Sequence, residues 1–438
     1  MNKKISIVGA GLVGSLLGIN LKQRGFDVTI YEKRKDPRKS RNYQGRSINL
    51  ALSRRGILAL QSVGIFEKIA PLLIPMKGRM MHDESGELTY QPYGKEGQHI
   101  NSVSRGKLNE ILVETVEALG VEVQFEKTCE AVDFENTVLS FSDGEQVESD
   151  IIFGTDGAFS AIRKQMQTMD RFNFSQHYID HGYKELQIDP INDDFALDPN
   201  YLHIWPRGNF MLIALPNQDK TFTCTLFFPF EGSPSFHSLS SDKDIKSFFQ
   251  SYFPDILSLI PDLLTQYQRN PTSSLVTTKC SPWNKNNTLI LGDASHAIVP
   301  FYGQGMNSGF EDVRLLVELA EKLDWDWCDI LPAFSAARKK DADAISELAL
   351  NNFIEMRDHV GNPDFLKRKK LEAQIQEAFP KEWIPLYSMV TFSDLPYSEA
   401  MRLGNIQTEI MREVLDKNPQ DVSFEEIVRQ FNILKQAD

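Results

Sequence analysis

The first 32 residues constrain the fold more than any other stretch of this chain. Ile5-Ser6-Ile7-Val8 is a short β-branched run, and Gly9-x-Gly11-x-x-Gly14 follows it directly. Val13, Leu16, Leu17 and Leu21 then recur at helical spacing, and Gly25 ends the pattern. Val28, Ile30 and Tyr31 begin a second strand-like run that closes on Glu32. Strand, glycine turn, helix and strand in that order make a βαβ unit, which predicts a doubly wound parallel sheet of the α/β class. Gly9 and Gly11 permit a tight turn and close approach of a pyrophosphate, and Gly14 lets the helix pack on the strand. The helix N-terminus then offers free N–H groups to phosphate oxygens. Glu32 stands where a carboxylate accepts a ribose hydroxyl, which favours FAD or NAD over a 2′-phosphorylated nucleotide.

The remaining composition narrows the partners. Asp and Glu number 60 against 47 Lys and Arg, a net charge of −13, so nucleic acid is a poor partner and an anionic ligand needs a local cation. Cys129, Cys224, Cys280 and Cys328 are scattered with no C-x-x-C pair, which gives no support to a metal site. No secretory h-region opens the chain, and no run approaches the roughly 20 apolar residues that a bilayer span needs. The expectation is a soluble, cytoplasmic protein with an oligomer left open.

Further along, a helix is expected around Arg55 to Ala70 and another from Leu108 to Leu119, with buried strands at Val121–Val123 and Ile151–Phe153. From about Phe172 to Leu264 the texture changes. Tyr201–Trp205, Phe210–Leu215 and Phe222–Phe228 are closely spaced β-branched and aromatic runs separated by turn residues. They predict a mixed or antiparallel sheet inserted into the first fold. Leu289–Leu291 returns to the first sheet, and after Asn307 the pattern is helical. In the tail, Phe424, Ile427, Val428, Phe431 and Leu434 share one face behind a Ser423/Glu426 capping pattern. The expected organisation is a discontinuous Rossmann-like FAD-binding domain (1–75, 100–171, 270–335), an inserted substrate-domain sheet (76–99, 172–269) and a C-terminal helical region (336–438).

Two later motifs choose the cofactor. Gly292-Asp293-Ala294-Ser295-His296 and Pro300-Phe301-Tyr302-Gly303-Gln304-Gly305-Met306-Asn307 lie between a strand and a helix. The pair resembles the second FAD signature of the aromatic-ring hydroxylase flavoproteins. That resemblance implies that Asp293 meets the ribityl chain, and that Gly305, Met306 and Asn307 bring a helix N-terminus to the flavin, where the positive dipole end favours a reduced, negative ring. Gly154-Thr155-Asp156-Gly157-Ala158, with Ser160 and Arg163, resembles the same family's Asp-Gly fingerprint, and Arg105 matches its cofactor-reaching arginine. The resemblance adds Val13, Arg34 and Ala51 to the cofactor set. No second strand–G-x-G-x-x-G–helix unit occurs, so a hydride donor is expected to bind transiently over the flavin; the resemblance suggests NADPH.

Within that family the chain is similar to the kynurenine hydroxylases nearly end to end. The carriers include Gly45–Gly56, Gly78-Arg79-Met80-Met81-His82-Asp83, His181–Leu186, His203–Arg207, Asn351–Asp358 and Pro385-Leu386-Tyr387. The implied reaction is hydroxylation of L-kynurenine at the ring 3-position, with O2 as co-substrate, through a flavin C4a-hydroperoxide. The implied carboxylate group is Arg79, Tyr93, Asn352 and Tyr387, with Glu355 beside it. An arginine there can clamp a carboxylate through two parallel N–H bonds. Met211, Ile213, Leu215 and Phe227 alternate along two candidate strands and could wall the ring, or equally form plain sheet core. His296 and Tyr302 are acid–base candidates, with structural or flavin-packing roles as the alternative. The eukaryotic relatives' C-terminal membrane anchor is not carried over: the amphipathic Phe424–Leu434 segment is expected to pack over the pocket or support an oligomer. A hydroxylase of another aromatic acid, or a non-catalytic FAD-binding module, are the competing readings. The absence of a W-x-W-x-I-P segment speaks against a flavin halogenase.

Overall fold

Ile5, Ile7 and Val8 are buried on both faces of their strand, as a central parallel strand requires. The strand Lys4–Val8 pairs in parallel with Ile151–Gly154 on one side and Asp27–Glu32 on the other. Glu122–Phe125 and Thr288–Ile290 extend this sheet, and a short antiparallel strand, Asn284–Lys285, ends it. The structure is a computed structural model and describes residues 3–39, 49–356, 363–416 and 423–436. The Gly45–Ile48 and Arg357–Asp358 portions of the sequence motifs lie outside the described residues.

A second, seven-stranded sheet runs in the order 273–281, 173–188, 222–229, 211–216, 201–206, 78–82, 88–92. Its pairings are antiparallel except for the parallel pair Tyr201–Pro206 with Gly78–His82. The 16-residue strand Asn173–Ile188 and its partner Ser273–Ser281 carry the chain from the first sheet region into the second, with a register shift between Tyr178 and Gly182. One face of the large sheet packs on the helices Asp242–Tyr252, Pro254–Leu259 and Leu263–Arg269 through Phe228, Phe248, Phe249 and Phe253. The other face, through Met211, Phe227 and Tyr183, meets the C-terminal helices. A small sheet of Asn49–Leu52, Ile100–Ser104 and Ile74–Met76 lies beside the two.

Three sequence expectations need correction. The helix expected over Arg55 to Ala70 is broken into Arg54–Ser62 and Phe66–Ile69, because Gly64 between them adopts φ +71°. The end of the inserted region, from Asp242, is helical, begun by a capping box in which Ser241 and Asp244 satisfy each other's backbone N–H. In the final helix, Phe424–Lys435, Ser423 accepts from the Glu426 N–H, but Leu434 is 38% exposed and the buried face ends at Phe431. This helix packs on Tyr397–Asp416 and sets Phe431 against Trp383, ring centroids 5.3 Å apart; none of its residues lines the cavity described below. Among the described residues, no helix is long and apolar enough to cross a membrane.

Candidate active site

A cavity of about 1080 Å³ runs from the glycine turn to the far side of the large sheet. Gly9 adopts φ +110°, and a Cβ there would come within 2.5 Å of the Thr155 carbonyl oxygen. A Cβ on Gly14 would lie 2.0 Å from the Gly9 carbonyl oxygen, so this glycine is what lets helix and strand meet. Gly11 differs: a Cβ on it would meet no protein atom within 4 Å, and Gly11 lines the cavity. Its lack of a side chain keeps open a cradle in front of the helix N-terminus, where a pyrophosphate fits.

Around that cradle, Glu32 accepts from the Ala10 N–H at 2.9 Å and pairs with Arg34 at 2.8 Å. Val13, Glu32, Arg34, Ala51, Arg105, Asp156, Asp293, Gly305 and Met306 all line the cavity. Asp156 accepts from the Ala161 N–H through Oδ2 at 2.7 Å, while its Oδ1 is sealed from solvent with no partner. Burial pushes its carboxyl above the usual range, against the bonds from Ser160 and Ala161 that favour the anion. Arg163 ties the two cofactor loops together, donating to the Ala294 carbonyl at 2.8 Å and to the Ala158 carbonyl at 2.5 Å. The helix Gly305–Lys322 begins with no side-chain cap, and its first residues face the cavity. An open glycine cradle, an orphaned carboxylate oxygen and an uncapped helix end are what a flavin dinucleotide would occupy.

Asn307 is placed differently from the expectation. It is fully buried, off the cavity wall, and spent internally: Oδ1 accepts from Ser53 N–H, and Nδ2 donates to the Ala51 and Gly303 carbonyls. It holds the strand Asn49–Leu52 against the start of the helix. His296 is likewise buried and off the wall, donating to Asp312 at 2.6 Å. Asp312 also accepts from the Gly292 N–H, which fixes the loop that presents Asp293.

At the opposite end, Arg79, Tyr93, Tyr302 and Tyr387 converge. Tyr387 lies between two rings, stacked on Tyr93 (5.3 Å, 10°) and on Tyr302 (5.4 Å, 17°). The Arg79 guanidinium carbon sits 5.2 Å from the Tyr387 ring centre and 5.7 Å from that of Tyr93. Arg79 Nε and the Tyr93 hydroxyl are sealed from solvent without hydrogen-bond partners. No carboxylate among the described residues forms an ion pair with Arg79. Burial pushes all three tyrosine hydroxyls up, so they stay protonated donors at neutral pH.

Asn352 and Glu355 do not line the cavity. Asn352 donates through Nδ2 to the Phe301 carbonyl at 2.6 Å, and Glu355 pairs with Lys369 at 3.4 Å. Met211, Ile213, Leu215 and Phe227 do line it, and Met211 and Phe227 are cross-strand partners on one face. Sequence reasoning left Phe301 without a role, although it lies inside a quoted motif. Its ring stacks on Phe353 at 4.1 Å and meets Phe227 at 4.8 Å, closing the apolar wall. Tyr183 and Met356 also line the cavity, and nothing in their local pattern distinguishes them from core residues.

Residues 2–349 match a family model described as FAD binding domain, so fold and site together define an FAD-binding protein. A kynurenine 3-monooxygenase of Flavobacterium johnsoniae is 49% identical over 94% of this chain and 94% of its own. One from Dictyostelium discoideum is 46% identical over 98% of this chain and 96% of its own. Among solved structures, 2-methyl-3-hydroxypyridine-5-carboxylic acid oxygenase superimposes with a TM-score of 0.69 at 20% identity, covering 83% of this chain and 94% of its own, a likeness of fold. The chain belongs to the kynurenine 3-monooxygenase family of FAD-dependent monooxygenases.

Proposed function

We propose that this protein hydroxylates L-kynurenine at the ring 3-position, consuming NADPH and O2, with FAD held in the main cavity. The observation that carries the substrate assignment is Arg79, a cation without a carboxylate partner among the described residues, set among three protonated tyrosines at the end of the cofactor cavity. An amino acid's carboxylate supplies what that group lacks: the guanidinium fork binds it, and the Tyr93 hydroxyl donates to it. Met211, Ile213, Leu215, Phe227 and Phe301 then hold the ring and exclude water.

In the net reaction one oxygen atom of O2 replaces the ring hydrogen as hydroxyl. The other leaves as water with two electrons drawn from NADPH. Bound FAD supplies the acceptance of hydride and the activation of O2. Kynurenine's ring amino group already enriches its ortho carbon, so the chain's own task is orientation rather than strong base catalysis. On this reading the glycine turn, Glu32, Arg34, Arg105, Asp156 and Asp293 hold the dinucleotide. Segments 1–75, 100–171 and 270–335 form the cofactor unit, and 76–99 with 172–269 form the substrate unit.

Mass spectrometry after incubation with L-kynurenine, NADPH and O2 tests the assignment. The expected product carries one added oxygen on the ring, and kynurenine stimulates NADPH oxidation. Stimulation by a salicylate-type acid with none by kynurenine would move the protein to a different substrate.

A further inference from the structure

A second cavity of about 630 Å³ adjoins the first, and Tyr183 and Ser273 line both. These two residues are cross-strand partners, so one residue pair stands in the partition. The register of the large sheet explains the arrangement. Ile213, Thr225 and Glu185 form one row across three neighbouring strands; Leu215, Thr223 and Gln187 form the next. Residues on one row point to one face. The same face is therefore apolar under the main cavity, at Ile213 and Leu215, and polar under the second, at Thr223, Glu185 and Gln187. The sheet face that floors the ring site continues past the Tyr183–Ser273 pair into a polar chamber whose rim residues Lys107, Gln187, Asp219 and Arg269 are exposed.

The charges of that chamber select among ligands. Lys107 and Arg269 are cationic, Glu185 and Asp219 anionic, and Lys107 also pairs with Glu110 at 3.0 Å. A polyphosphate needs a positive surplus, which this lining and the chain's −13 do not supply. A zwitterion finds both signs. We propose that the second cavity is the vestibule through which the zwitterionic aromatic amino acid reaches the ring site, with Tyr183 as the shutter between them. This rests on the kynurenine reading above and adds a route to it.

Stopped-flow mixing of the FAD-loaded full chain with L-kynurenine, followed by flavin absorbance, tests the route. Gln187→Trp at the exposed rim and Thr223→Trp at the boundary are expected to slow association by about tenfold or more, while Thr223→Ser stays near wild type. FAD content should be unchanged in all three. Lys107→Glu combined with Arg269→Glu should also slow association and alter its salt dependence. Wild-type association rates in Gln187→Trp would overturn the vestibule, and that exposed position keeps the test decisive if Thr223→Trp does not fold. Slower flavin reduction by NADPH with unchanged kynurenine association would assign the chamber to the reductant and equally overturn it. A wild-type protein that yields no hydroxylated product from L-kynurenine, NADPH and O2 would defeat the functional reading itself, and the vestibule with it.

Discussion

Two arginines in this molecule meet opposite fates. Arg338 lies in the C-terminal helical region, 3% exposed, and is fully answered: it pairs with Glu311 at 2.7 Å and Asp312 at 2.7 Å. Arg55 pairs with the same Glu311, and both guanidinium groups lie against the Tyr397 ring, Arg55 at 3.9 Å from its centre. With Arg314 on Glu311 and Asp341 on Arg338, both at 3.7 Å, three arginines and three carboxylates answer one another inside the protein. Arg79 lies against two tyrosine rings, Tyr93 and Tyr387, and has no carboxylate ion pair among the described residues. A buried charge that is paired internally holds structure together, while Arg79, which feels Glu355 only at a distance, is on the proposed reading the charge that a ligand's carboxylate answers.

The largest test of this contrast is Arg338→Ala. It leaves Glu311 and Asp312 short of a partner away from water, and the unfolding free energy should fall by about 3–5 kcal/mol. Urea denaturation of the FAD-loaded protein measures it. Because Asp312 also fixes the Gly292 N–H and His296, FAD retention should weaken in parallel. A loss under about 1 kcal/mol would mean that the network does not carry the fold.

Arg79→Ala should behave in the opposite way. Arg79 makes no ion pair among the described residues that its loss would break, so unfolding free energy should stay within about 1 kcal/mol of wild type. Kynurenine binding should weaken by about 2–5 kcal/mol, roughly 30-fold or more, and substrate-stimulated NADPH oxidation should disappear. Titration of the flavin absorbance reads the affinity. Equal losses of stability and affinity would erase the distinction between the two arginines.

Legibility in the sequence follows the same divide. The cofactor end was readable because backbone geometry dictates it: Gly9, Gly11 and Gly14 are required by turn, cradle and helix contact, and Glu32 ends a strand whose register is set by burial. The inserted sheet was readable from its period-2 runs, which put Met211, Ile213 and Leu215 on one face. Nothing local marks Arg79, Tyr93 and Tyr387 as neighbours. They are brought together from a parallel strand pair, a loop and a late helix, so only resemblance to relatives could nominate them. Asn307 illustrates the reverse. Its motif is plain, but its side chain is absorbed by Ser53, Ala51 and Gly303, and a motif does not tell ligand contact from support. The second cavity had no linear signature at all, since Glu185 and Thr223 are brought near by strand register and Lys107 and Arg269 arrive on two separate helices.

A finer cut removes one atom from the clamp. Tyr93→Phe deletes a buried hydroxyl that has Arg79 as a polar neighbour and makes no well-formed hydrogen bond, so stability should change little. Kynurenine affinity should fall by about 0.5–1.5 kcal/mol, the worth of one hydrogen bond. Unchanged affinity in the same flavin titration would take the hydroxyl out of the carboxylate group and leave Arg79 alone there.

The smallest effects come from pH, and the two regions should fail at opposite ends of the scale. Asp312 is held below its ordinary value of 3.8; burial opposes its charge, but His296 and Arg338 outweigh it. A carboxylate whose folded value is depressed gives stability that is present above the unfolded value and lost as pH falls below it. Tyr93, Tyr302 and Tyr387 are pushed by burial above their ordinary 10.0. Above that pH the unfolded chain releases the proton first, so their contribution is lost as pH rises. Half a pH unit past either onset, each group should cost at most about 0.8 kcal/mol. Urea melts across a pH series would therefore show Asp312→Asn flattening the acid limb and leaving the alkaline limb alone. Tyr93→Phe should do the reverse. If Tyr93→Phe instead altered the acid limb, the clamp would be coupled to the carboxylate network, and the two arginines would belong to one electrostatic system.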